Sequence, residues 1–153
     1  MQISMTSGAR SLAAAAVIAA FAASAPAHDG ATGVIKQRMD NMSAMGKAMK
    51  AIATMVKDES QYDTEAFRTA LNTISTHSGD NLTRLFPSGS IGDPSEAKQD
   101  IWEKWETFEA LSAELNRQAT GLALLSTRPK PAQFGKLAAT CKGCHEQFRT
   151  RKN

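Results

Sequence analysis

Cys141-Lys142-Gly143-Cys144-His145 holds two cysteines separated by two residues, with a histidine directly after the second. That spacing is the attachment signature of c-type haem. The two thiols can add to the porphyrin vinyl groups while the imidazole takes one axial position on the iron. On a helix, positions i, i+3 and i+4 share a face, so one turn presents all three groups together. Other chemistries for a Cys-x-x-Cys pair fit less well. A closed zinc site needs four protein ligands, and the only spare histidines, His28 and His77, are isolated and distant. A thioredoxin-like dithiol belongs beside a βαβ pattern, and no segment here sustains period-two alternation. A structural disulfide across two residues would strain the helix. Both cysteines lie in the motif, which leaves none for a disulfide framework.

The elements that must position this motif read as four helices. Between Thr32 and Lys57, positions 35, 38, 42, 45, 49, 52 and 56 are Ile, Arg, Met, Met, Met, Ile and Val. This is an amphipathic stripe with Arg38 as its single polar member. Lys36, Asp40, Asn41, Ser43, Lys47, Lys50 and Lys57 occupy the other face. Asp63 is placed to cap a second helix lined by Phe67, Leu71, Ile74 and, further on, Leu82. The breaker-rich stretch from Phe86 to Pro94 reads as an ordered loop. A third helix, with Asp93 or Ser95 as the expected N-cap, carries Ile101, Trp105, Phe108, Leu111, Leu115 and Leu122. Trp102 lies beside that stripe, able to cover either the core or a cofactor. Thr127 to Pro131 makes a turn, since prolines are tolerated outside or in a first helical turn. The last helix carries Phe134, Leu137, Ala138, Cys141, Cys144, His145 and Phe148 on one face. The expected fold is all-α, an antiparallel four-helix bundle with a porphyrin wedged between helices.

The chain begins with the features of a secretory signal peptide. Arg10 supplies the positive region, Leu12 to Ala22 the apolar region and Ala25-Pro26-Ala27 a small-residue cleavage site. The apolar run is too short to span a bilayer. Residues 1–27 are therefore expected to be removed, leaving 28–153 as a single exported, soluble domain. Losing Arg10 and no acid takes the formal charge from +3 to +2, a near balance that does not point to nucleic acid. The one basic cluster, Arg149, Arg151 and Lys152, reads as a C-terminal end.

With these elements in place, the chain resembles the class II cytochromes c, the cytochrome c′ and cytochrome c-556 group. Cys141 to Arg149 is similar to the group's CxxCHxxxR ending; Arg38 followed by Met42, and Ile101-Trp102, also match its pattern. The resemblance implies one covalently attached haem c, with Cys141 and Cys144 as thioether links and His145 as an axial iron ligand. It also places Arg149 as a charge near that imidazole. Relatives occur as monomers and as dimers, so a homodimer is among the expectations.

The sixth iron position decides the chemistry. All five methionines after residue 27 (Met39, Met42, Met45, Met49 and Met55) fall on the first helix, where the plain alternative is core filling. If the first and last helices run antiparallel, a residue opposite His145 comes from the early turns of the first. Met42 and Met39 satisfy this, whereas Met49 lies roughly 10 Å further along at ~1.5 Å per residue. The resemblance selects Met42, because cytochromes c′ carry a non-ligating side chain at that position and six-coordinate c-556 proteins carry Met. His145/Met42 ligation implies a low-spin iron that moves single electrons between periplasmic redox partner proteins. The alternative is a five-coordinate, cytochrome c′-like protein that binds NO or CO. No enzyme is expected, since the early turns offer no distal histidine for acid–base work. Arg38 is a candidate propionate contact or a snorkelling rim residue. His77 reads as a polar-face or packing histidine. Lys47, Lys50, Lys57 and Lys142 suit either an acidic redox partner or plain solvation.

Overall fold

A computed structural model describes residues 30–125 and 127–150. The expected signal segment 1–27, His28, Arg151 and Lys152 lie outside the described residues.

Among the described residues there are six α-helices: α1 (Gly33–Lys57), α2 (Thr64–Thr76), α3 (Asp80–Thr83), α4 (Asp100–Glu103), α5 (Trp105–Ala123) and α6 (Pro131–Phe148). The four long ones form the antiparallel bundle, with α1 against α2 and α6, and α5 against α2 and α6. The local signals act as expected at several ends. Asp63 caps α2 by accepting from the Ala66 N–H at 2.7 Å, and Pro131 occupies the first turn of α6, where its missing N–H costs nothing. No described helix is long and apolar enough to cross a membrane.

Two boundaries depart from the sequence pattern. Leu82 does not extend α2. The chain turns at Gly79, whose φ of +62° suits glycine, and Leu82 belongs to the separate α3. Gly79 is held there by two bonds to α5, its N–H donating to Ser112 O at 3.1 Å and its carbonyl accepting from Ser112 Oγ at 3.0 Å. The third long helix is also not capped by Asp93 or Ser95. It begins at Asp100 and is interrupted at Lys104 (φ −122°, ψ 44°) before α5 resumes. The residues before it are drawn into backbone pairing with the end of α6: Ala97 bridges Arg149, and the Lys98 N–H donates to Phe148 O at 2.9 Å.

The core divides into two clusters. The larger one gathers Met45, Ile52, Phe67, Leu71, Leu115 and Leu137, among others, from all four long helices. The smaller one is Leu82, Phe86, Ile101, Phe108 and Phe148, with Phe108 making edge contacts to Phe86 at 4.8 Å and Phe148 at 5.5 Å. Each fully buried aliphatic or aromatic side chain contributes about 1.5–3 kcal/mol.

Candidate functional site

The motif on α6 straddles the two clusters. Cys141 is half-buried against the larger and Cys144 half-buried against the smaller, and both thiols are free. Burial raises the pKa of both. Cys144 reaches about 11, with the neighbouring Cys141 adding to the effect. His145, expected on the core face with them, is exposed; it lies at the edge of that face, about 40° around the helix from Cys141 on the side away from Cys144. The surrounding protein still removes enough water to hold its pKa below the usual imidazole value. Arg149 adds to that lowering and Glu96 opposes it. A neutral imidazole is the form a metal takes up.

The methionines of α1 sort themselves by packing. Met45 and Met55 are buried in the larger cluster and Met49 packs on its edge; Met39 is half-buried and belongs to neither cluster. Among the described side chains Met42 alone packs against both clusters, one with Cys141 and the other with Cys144. α1 and α6 are in contact, and Met42 shares one cluster with Cys141 and the other with Cys144.

Arg38, one helical turn before Met42, is not a rim residue, for it is only 3% exposed. Its Nε–H donates to Leu85 O at 2.6 Å and its Nη2 to Ser90 Oγ, and the guanidinium lies 4.3 Å from the Phe86 ring centroid. Desolvation lowers its pKa, yet a guanidinium stays charged in a protein. Its Nη1 is buried without a protein partner. Trp102 closes the same corner, its Nε1–H shared between Phe86 O and Pro87 O at 3.1 Å each.

Other candidates separate from this group. Arg149 caps α6 and its Nε–H donates to Glu96 Oε2 at 2.5 Å. His77 is a polar tie, as expected: its Nδ1–H donates to Asn41 Oδ1 at 2.5 Å while Asn41 Nδ2 donates back to His77 O at 2.8 Å. A groove of about 530 Å³ beside that pair, lined by Gln37, Asn41, His77 and Arg84, contains none of Met42, Cys141, Cys144 or His145. Lys47, Lys50, Lys57 and Lys142 are exposed, and Lys142 pairs with Glu146 at 3.7 Å. Sequence reasoning missed Glu96, Leu85 O and Ser90. All three sit in non-helical segments where periodicity carries no signal, and each meets its arginine 47 to 53 residues away in sequence.

A four-helix bundle with Cys-x-x-Cys-His near the end of its last helix defines a class II c-type cytochrome. The comparisons agree. Residues 33–149 match the Cytochrome C' family, and the chain belongs to it. It is 34% identical over 125 residues to a cytochrome c' of Rhodopseudomonas palustris, covering 80% of this chain and 85% of that one. To a cytochrome c-556 of Agrobacterium fabrum it is 32% identical over 127 residues, covering 80% and 84%. The solved cytochrome c' of Rhodopseudomonas palustris superimposes with a TM-score of 0.70 at 34% identity, over 80% of this chain and all of that one. The protein is accordingly a haem protein with one covalently attached c-type haem. The residues fit such a group on structural grounds: two free thiols, one packed on each core cluster, and one turn before Met42 a buried guanidinium nitrogen without a protein partner.

Proposed function

We propose that the protein is a periplasmic electron carrier whose single haem is held by thioether links from Cys141 and Cys144, with His145 and Met42 as axial ligands. The observation that carries this reading is Met42's position, the one described α1 side chain that packs on both core clusters, one shared with Cys141 and the other with Cys144. The haem supplies a one-electron couple. Cys141 and Cys144 would bind it covalently and His145 and Met42 would both ligate its iron, which would leave no coordination site for a substrate. Arg38 Nη1, buried without a protein partner, would be free to give a haem propionate a charge-assisted hydrogen bond. Residues 1–27 are a cleaved signal peptide and 28–153 the haem domain. Exposed Lys47, Lys50 and Lys57 suit an acidic redox partner.

The second reading, a five-coordinate centre that binds NO or CO, draws on the relative at 34% identity being named a cytochrome c'. A visible spectrum separates the two. Low-spin ferric bands with a weak sulfur-to-iron feature at the red end are expected, and Met42→Ala should convert them to a high-spin spectrum. A high-spin wild-type spectrum would overturn the carrier reading in favour of gas binding. A low-spin spectrum that survives in Met42→Ala would move the ligand to Met39.

A further inference from the structure

Glu96 to Lys98 runs alongside the C-terminal end of α6 as a short antiparallel clasp. The Thr150 N–H donates to Glu96 O at 2.7 Å and the Lys98 N–H to Phe148 O at 2.9 Å. Side chains repeat the connection, with Arg149 Nε–H on Glu96 Oε2 at 2.5 Å. The Glu96 side chain is 24% exposed against 56% for Arg149, so the carboxylate is the sheltered partner and the arginine comes to it. Arg149 is tied to the motif through its own N–H, which donates to His145 O at 3.1 Å.

We propose that Glu96 is a positioning residue: it fixes the Arg149 guanidinium one turn from His145, and the balance of this ion pair sets the field at the proximal ligand and thereby the reduction potential. This rests on His145 as an axial ligand and is independent of what Met42 does. The sign follows from charge. The ferric centre carries one more positive charge than the ferrous, so an Arg149 left uncompensated disfavours it and raises the potential. Removing the Arg149 charge favours the ferric form and lowers it.

The test is a spectroelectrochemical titration of the holoprotein at low ionic strength. For Glu96→Gln, a threefold shift toward the ferrous form at fixed potential is expected, about 28 mV at 59 mV per tenfold change for one electron. Arg149→Gln should shift the opposite way, the double variant should return toward wild type, and Glu96→Asp should stay near it. In 1 M salt, where the screening length is about 3 Å, the differences should contract. Equal potentials for wild type and Glu96→Gln at low salt would overturn the proposal. So would shifts that persist undiminished in high salt, since these would assign Glu96 to clasp structure alone. The ligand itself is checked separately by His145→Gly, where an unchanged spectrum would overturn the reading of His145 whatever Glu96 does.

Discussion

Arg38 is a cation held almost wholly out of water, and the bonds it makes decide whether it stabilises the protein. A buried charge that loses its partners is expensive, and partners that lose the charge are left with unmet hydrogen bonds. Leu85 O and Ser90 Oγ both accept from this one guanidinium, and the face of Phe86 lies against it. Arg38→Met keeps most of the volume and removes the donors, so urea denaturation of the holoprotein should show a loss of about 1–3 kcal/mol. Arg38→Lys should not restore it, because an ammonium lacks the planar fork that serves two acceptors at once. A variant as stable as wild type would show that the loop from Leu85 to Ser90 does not need its tie. The thiols supply a pH-dependent prediction at the same scale. At neutral pH a thiol of pKa about 11 holds roughly a hundredfold less thiolate than one at the ordinary 9.0. In haem-free chain, Cys144 should therefore alkylate slowly with iodoacetamide, its rate climbing about tenfold per pH unit until about pH 11, whereas denatured chain should level off about two units lower. The folded thiol keeps its proton longer than the unfolded one. Burial's contribution to stability is thus complete below about pH 9 and is lost as the pH rises toward 11. Mass-spectrometric labelling across pH 7–11 reads the rates, and identical folded and denatured profiles would refute the burial argument.

At the scale of elements, α2 shows how a local signal sets a boundary. Asp63 Oδ1 satisfies an N–H that no helical carbonyl can reach. Asp63→Ala should cost about 1 kcal/mol and lower the melting temperature by about 3–5 °C; an unchanged melting curve would mean that the cap is dispensable. Helix-scale features were legible in the sequence for a physical reason: capping and periodicity act over a few residues. The stripe on α1 from Met42 to Val56, the core positions Phe67, Leu71 and Ile74, and the start of α6 at Pro131 all follow that logic and all appear in the structure. The start of the third long helix was not legible, because residues 96–98 gain more from backbone pairing with Phe148, Arg149 and Thr150 than from joining a helix. No local pattern encodes a partner some fifty residues away. The same limit hid the burial of Arg38, whose acceptors lie in the loop after α3. It also hid the exposure of His145, since helical spacing fixes an angle around the axis but not where solvent begins.

The whole molecule is two apolar clusters assembled by four helices, and its cooperativity depends on what joins them. α5 contributes Leu115 and Leu122 to the larger cluster and Phe108 to the smaller, so the helices themselves run through both. The side-chain packing between the clusters is much thinner: Met42 is the one partly buried apolar residue described that touches each. A haem bonded to Cys141 and Cys144 would join a thiol that packs on one cluster to a thiol that packs on the other, adding a large apolar surface to both. Burial at about 25 cal/mol per Å² makes that surface a major part of the core, and covalent attachment keeps it there in the unfolded chain as well. Cys141→Ser combined with Cys144→Ser should therefore do more than lower the melting temperature. In calorimetry the haem-loaded wild type should unfold in one transition, whereas the haem-free double variant should unfold the smaller, aromatic cluster first, at a lower temperature. A haem-free variant that melts in a single sharp transition near the wild-type temperature would show that the helices alone couple the two clusters and that the cofactor is a passenger in the fold.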